Sequence, residues 1–344
     1  MVKIEHKRAL LVFRFGDKKF EWPIETRYWR NPILGVAFLA LLPIIFSWQP
    51  DILSLIATAN IYACIAIPLA WQMTGIGRLN FGPQVFVGIG GFTAGLLSVH
   101  LGWGPWATFP IVIITGIVFG LILSPLTNIA KGLYFSLVTL ILPLIFLEVT
   151  YYFGIFKGET GLFGIAPMIN IGNIIAELII TNYFSLIMMV VFLFVVVKVF
   201  DSRIGLYSAA INDDEEVANN LGLNIKKWKI ICFVVTSVMI TLAGWFSAHY
   251  FGTFAGATYL QLPFMLKILL MVMIGGRGDV YGAIYGAYFV VILEKVLTVF
   301  GTANYILFPL ILVILLFTLR EGIYGIYRTH RYREYYPTIR VRKR

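Results

Sequence analysis

The segment AINDDEEVANNLGLNIKKWK, Ala210 to Lys229, sets four acids in a row, Asp213, Asp214, Glu215 and Glu216, and follows them with Lys226, Lys227 and Lys229. It sits in a chain of 344 residues that is 59% hydrophobic and only 13% charged, and apolar runs of about twenty residues lie on either side of it. That contrast decides the fold. A chain built of such runs is an all-α polytopic membrane protein, because in lipid each backbone N–H and C=O must be satisfied within its own helix. The charged segment is then a loop that meets water or a partner instead of lipid.

Working outward, apolar runs lie near 32–48, 52–73, 79–101, 105–126, 132–153, 181–199, 229–251, 263–276, 279–299 and 303–319, so about ten transmembrane helices are expected. Ten is even, which puts both termini on one side. The net charge of +10 is concentrated there: residues 1–31 carry eight Lys/Arg against four acids, residues 320–344 eight against two, and the remainder eleven of each sign. Lys and Arg favour the cytoplasmic side of a membrane, so both basic tails are read as cytoplasmic and not as a nucleic-acid surface. Threading from a cytoplasmic start places Arg78, Lys131, Lys198, Arg203, Lys226, Lys227, Lys229 and Arg277 at inner turns and only Lys157 in an outer loop. The expected organisation is a basic cytoplasmic segment 1–31, a membrane domain 32–319 with a cytoplasmic loop 200–228, and a basic cytoplasmic tail 320–344. Period-two alternation around Gly16-Asp17 suggests a small hairpin over 10–24. No apolar core near the N-terminus is long enough for a signal peptide, so the first span is expected to be retained.

Within 210–222, Asn212 or Asp213 can cap a short helix, the acids suit the positive end of its dipole, and Gly222 can stop it. Ala210, Val217, Ala218 and Leu221 recur at helical spacing as one narrow apolar stripe. A helix lying on anionic lipid carries Lys and Arg on its polar face, whereas Asp213, Asp214, Glu215 and Glu216 would be repelled. Docking into a groove on a soluble protein explains such a helix better.

Enzyme chemistry has little to work with. The histidines show no metal-ligand spacing, Cys64 and Cys232 fall inside apolar runs, and no Gly-Lys dipeptide is present to build a Walker A phosphate loop.

Four segments together resemble a known family, the permease subunits of ABC importers for branched-chain amino acids and related small solutes. They are GRLNFGPQVFVGIGGFTAGLL (77–97), KGLYFSLVTL (131–140), AINDDEEVANNLGL (210–223) and LLMVMIGGRGDVYGAIYGA (269–287). The resemblance implies a transmembrane pathway made with a second permease as a homo- or heterodimer. It also implies cytoplasmic ABC ATPase subunits that bind the ATP, an extracytoplasmic solute-binding protein, and a multi-pass location in the cell membrane; no cofactor on this chain is expected. Residues 210–222 then become the coupling helix, with Ala210, Asp213, Asp214, Glu215, Val217, Ala218, Leu221 and Gly222 at the ATPase. Departures from the family pattern at Leu206, Ala209 and Asn212, and Lys267 where an acid is usual, leave open a urea or short-amide permease. A stand-alone ion-coupled transporter is the alternative from another class.

The solute pathway is assigned to Asn80, Gln84, Thr93 and Thr139 in the resembling segments, and to three charges within the spans, Glu148, Lys267 and Glu294. Counting about 1.5 Å per helical residue, Lys267 and Glu294 lie roughly 7–8 Å below the outer ends of neighbouring spans, as does Glu148 in the fifth. A lone charge at mid-membrane costs about 2.5–3.5 kcal/mol on insertion scales, so Lys267 and Glu294 are expected to find each other or the two charged ends of an amino acid. Gly91/Gly95 and Gly282/Gly286 carry small-xxx-small spacing that lets helices approach closely. Gly275, Gly276 and Gly278 form a glycine-rich turn between two spans.

Overall fold

The computed structural model of the protein describes residues 10–15, 18–23, 26–130, 132–200, 222–276 and 278–318, together with 202, 205, 207–208, 210–211, 214–220 and 322. An N-terminal hairpin pairs β1 (Leu10–Phe15) with β2 (Lys18–Pro23), Phe15 opposite Lys18, as the alternation around Gly16-Asp17 suggested. The helices that follow are α1 (Thr26–Ile45), α2 (Pro50–Gly75), α3 (Pro83–Leu101), α4 (Pro105–Leu123), α5 (Leu126–Ile129), α6 (Leu133–Tyr152) and α7 (Ile174–Phe200). Then come α8 (Glu215–Asn220), α9 (Ile225–Phe251), α10 (Gly256–Tyr259), α11 (Leu262–Gly275), α12 (Val280–Leu297) and α13 (Asn304–Thr318). A two-residue pairing of β3 (Leu162–Phe163) with β4 (Thr253–Phe254) completes the elements.

The expected number of spans needs correction. Among the described residues, eight helices are long and apolar enough to cross a membrane, and the first and last of the ten expected runs are shorter apolar helices, Gly35–Ile45 and Ile306–Leu315. The described part of α13 has 15 residues, about 22 Å at ~1.5 Å per residue. In α1, the polar opening Thr26-Arg27-Tyr28-Trp29-Arg30-Asn31 consumes much of the helix. Seven of the other eight runs each fall in one long helix and the eighth in α10 and α11 together, Gly256–Gly275, so the protein is an all-α, multi-pass membrane protein.

Local chemistry explains where the spans begin and end. Prolines in the first turns of α2, α3, α4 and α11 cost nothing there, since the missing N–H would have had no helical partner. Gly102 and Gly252 end α3 and α9 with φ of +67° and +66°, the left-handed conformation glycine adopts without strain.

The centre of the bundle is α2, α3 and α9, each buried over most of its length. The periphery includes α4, whose Ile114, Phe119 and Ile122 point outward as lipid-facing residues do. The α3–α9 crossing is tight because glycines stand on both sides: a Cβ on Gly90 would collide with the Thr241 carbonyl, and one on Gly244 with the Val87 carbonyl. Gly91 and Gly95, which the sequence spacing marks for helix packing, instead make room for Phe254 and Leu162 of the β3–β4 pair. Gly275, Gly282 and Gly286 let the α11 and α12 backbones touch, with Met271 of α11 against Gly286. Gly276 and Gly278 turn between these helices at φ of +146° and +71°. Asp279 caps α12, its Oδ1 accepting from the N–H groups of Tyr281 and Gly282 at 3.0 and 3.3 Å.

Contacts sort the connections onto the two ends of the bundle. At one end Arg78 reaches both the α5 turn and α8. At the other, the N–H of Ala166 donates to the Ser98 hydroxyl and the N–H of Ile165 to the Gly252 carbonyl.

Candidate coupling site

The acid-rich segment yields α8, six residues long. Its end is a paired hydrogen-bond motif: the N–H of Gly222 donates to the Asn219 carbonyl at 2.9 Å and the N–H of Leu223 to the Ala218 carbonyl at 3.2 Å, with Gly222 at φ +83°. The chain then re-enters the bundle through α9, which Asn224 caps by accepting from the Lys227 N–H at 3.1 Å. Asp213 and Leu221 lie outside the described residues, as does the side chain of Val217.

Ala218 is buried with Ile211 and Ile225, and Ala210, Leu223 and Trp228 pack around them. Of the apolar stripe expected to enter a partner's groove, Ala218 is turned onto the start of α9. The reason is geometric: a short helix tethered at both ends beside a bundle buries its apolar side against the nearest apolar surface, here the start of α9. The face left to solvent carries Asp214, Asn219, Asn220 and Gly222.

Glu215 points back toward the bundle too. One carboxylate oxygen lies 3.0 Å from an Arg78 guanidinium nitrogen and the other 2.7 Å from Lys229 Nζ. The lysine side chain is fully buried and the arginine side chain 9% exposed, against 45% for Glu215. Partial burial pushes the Glu215 carboxyl up, but the Lys229 ammonium and then the Arg78 guanidinium outweigh it and hold the group below the usual carboxylate range. Arg78 also donates to the carbonyls of Thr127, at 2.8 Å, and Ala130. A planar guanidinium has donors enough for all three acceptors.

Two residues beyond Arg78, Asn80 opens a buried polar cluster in the turn between α2 and α3. Its Nδ2 donates to Gln72 Oε1 at 2.7 Å and its Oδ1 accepts from the Gly82 N–H at 2.8 Å. Gln72 in turn donates to the Thr236 hydroxyl of α9. The N–H of Phe81 donates to Thr139 Oγ1 at 3.1 Å, and Ser136 Oγ donates to the Leu79 carbonyl at 2.7 Å. Asn80 and Thr139, assigned together to the pathway, thus flank one turn. Gln84 lies fully buried in the first turn of α3, and neither amide atom has a hydrogen-bond partner among the described residues. Thr93 is half-buried about 14 Å further along the same helix, counting ~1.5 Å per residue. Gln72, Arg78, Ser136, Thr236 and Lys229 join these contacts only through the fold; a polar side chain in an otherwise apolar span, as at Gln72, is the signal the sequence offers.

The charges within the spans resolve differently. Lys267 Nζ donates to both oxygens of Glu294, at 2.7 and 2.8 Å, with the Tyr62 hydroxyl at 3.4 Å and the Tyr62 ring centroid at 5.1 Å. Lys267 and Glu294, which the sequence places at matched depth, are thus paired with each other. Glu148 is exposed on α6, which packs on α3 and α10, and it does not take part in that pair. Beside the pair, Asp51, Ser54, Thr58, Glu294, Lys295 and Asn304 line a cleft of about 700 Å³ between the start of α2 and the end of α12.

Eight apolar spans around a buried polar turn, with a short charged helix pinned at one end, define a polytopic membrane protein. A family described as the permease component of branched-chain amino acid transport systems matches residues 51–319, and the chain belongs to it. It is 24% identical over 289 residues to the high-affinity branched-chain amino acid transport system permease protein LivM of Escherichia coli, covering 76% of this chain and 67% of that one. The LivM protein of Salmonella typhimurium is likewise 24% identical, over 83% of this chain and 73% of its own. The fructose import permease protein FrcC of Rhizobium meliloti is 26% identical over a shorter stretch, 32% of each chain. No solved structure matches significantly.

Proposed function

We propose that the protein is the membrane-spanning permease subunit of an ABC importer that admits branched-chain or other small amino acids. Separate ATPase subunits drive it from the cytoplasm, a second permease subunit completes the pathway, and an extracytoplasmic solute-binding protein delivers the solute. The family membership over residues 51–319 carries this reading. The placement of α8 supports it: a helix fastened to the membrane domain on one side and exposing Asp214, Asn219, Asn220 and Gly222 on the other is shaped to receive a soluble partner. The partner then meets this polar face, and Ala218 belongs to the anchor. The loop 200–228 and both basic tails lie on the cytoplasmic side in this reading. The polar turn around Asn80, Gln84 and Thr139 contributes to the solute route, and ATP is bound by the partner alone.

The test is reconstitution. Vesicles holding the purified chain without an ATPase should show no solute uptake, whereas co-expression with a cognate ATPase should give a complex that takes up branched-chain amino acids in the presence of ATP and binding protein. Uptake by the chain alone, driven by an ion gradient, would overturn the assignment.

A further inference from the structure

The Glu215 carboxylate joins separate elements of the membrane domain. One oxygen meets Arg78, in the turn between α2 and α3, and the other meets Lys229, in the first turns of α9. Arg78 continues the connection into the α5 turn through the carbonyls of Thr127 and Ala130. Two residues along the same turn, Asn80 holds Gln72 and the Gly82 N–H, and through Gln72 reaches Thr236 of α9. A single carboxylate on a six-residue helix thus fixes the segment that organises the buried polar cluster.

The energetics of separating these charges are lopsided. Glu215 is 45% exposed and can pass into water, whereas Lys229 is fully buried and Arg78 nearly so. Pulling α8 outward therefore hydrates the acid at small cost while removing a carboxylate from two cations that stay in a poorly solvated place. The joined state is favoured at rest and the parted state must be driven. Among the described residues, the apolar contact of α8 with the start of α9 is made by Ala218 against Ile225, and the carboxylate adds a charged tie beside it.

We propose that Glu215 is the positioning residue of coupling: it transmits displacement of α8 by a docked ATPase to the α2–α3 turn, through Arg78, and to α9, through Lys229. This rests on the reading that α8 receives an ATPase, and the experiment separates the two ideas. The complex of full-length permease, ATPase and binding protein is prepared in lipid with wild type, Glu215→Gln, Glu215→Asp and Arg78→Gln. Capture of the ATPase and stimulation of ATP hydrolysis by solute-loaded binding protein are measured side by side. Capture should be unchanged in Glu215→Gln while the stimulated-to-basal ratio falls about tenfold, the factor expected for loss of one charge-assisted hydrogen bond. Glu215→Asp should recover part of the ratio. Arg78→Gln, which leaves the Lys229 contact in place, should also lower it, and it decides the matter if Glu215→Gln does not insert. Wild-type stimulation in Glu215→Gln or Arg78→Gln would overturn the inference, as would loss of capture in Glu215→Gln, since the residue would then belong to the docking surface. Absence of capture by the wild-type protein would instead overturn the ATPase reading.

Discussion

Breaking the Lys267–Glu294 pair from one side and then from both distinguishes a structural contact from a solute contact. In Glu294→Leu the ammonium loses two oxygens at 2.7 and 2.8 Å and keeps the Tyr62 hydroxyl at 3.4 Å and the aromatic faces of Tyr62 and Phe308. Its side chain is 16% exposed, so the cost should approach that of an uncompensated buried charge, about 3 kcal/mol after allowing for the ring contacts. In Lys267→Leu the orphaned carboxylate is 34% exposed and borders the 700 Å³ cleft, so water can reach it and the cost should be nearer 2 kcal/mol. The double substitution leaves no charge unmatched and should cost about 2 kcal/mol, well short of the sum, for a coupling of about 3 kcal/mol. The assay is SDS-induced unfolding of the four proteins, read by tryptophan fluorescence, with uptake by the reconstituted transporter measured alongside. If the pair is structural, uptake should return in the double mutant together with stability. Additive losses would refute the pairing argument, and a stable double mutant without uptake would show that one of these charges meets the solute.

Three further outcomes follow from the same geometry. Asn219→Arg should lower ATPase capture about tenfold or more with unchanged stability, because it alters the exposed face of α8, whereas Ala218→Asp should cost about 1–3 kcal/mol of local stability by burying an unpaired carboxylate; pull-down and hydrogen exchange of residues 210–230 separate the two. Gly286→Leu should reduce the yield of folded protein, because a side chain there collides with the Met271 carbonyl, at a cost of at least about 1–3 kcal/mol; size-exclusion chromatography of the detergent extract reads it. The Glu215 carboxyl titrates below its unfolded value of about 4.3, so its contribution to holding α8 is present in full above that pH and is lost as pH falls through the lower folded value; exchange protection at Ala218 and Leu223 should be flat from neutral pH to about pH 5 and decline below about pH 4.

What was legible in the sequence is what depends on local pattern. The apolar runs gave the spans because the membrane enforces one solution for the backbone, and Gly222 announced the end of α8 because the left-handed turn there favours glycine. Opposite charges at matched depth on neighbouring spans foretold the Lys267–Glu294 pair, since few other partners exist in lipid. The number of full crossings was less legible: hydropathy registers the first and last runs, but it does not register how much of each helix remains apolar once its ends are set.

The orientation of α8 was the least legible feature, and the reason bears on function. A row of acids followed by lysines reads as a surface for another molecule, and a narrow apolar stripe reads as the side that enters it. Both inferences treat the helix as isolated. In the folded protein the start of α9 lies beside it, and Ile225 takes up Ala218 before any partner can. The nearly buried Arg78 comes from a distant part of the chain, its charge and that of the buried Lys229 have to be met where they stand, and Glu215 turns inward to meet them. Helical periodicity has no means of ranking an intramolecular cation against an unseen protein. The consequence is a division of labour within six residues, with Ala218 and Glu215 holding the membrane domain and Asn219 and Asn220 left facing outward. A helix with both attachments can pass a push from one side to the other; a stripe wholly buried in a partner would leave it hinged to its own permease by the chain alone.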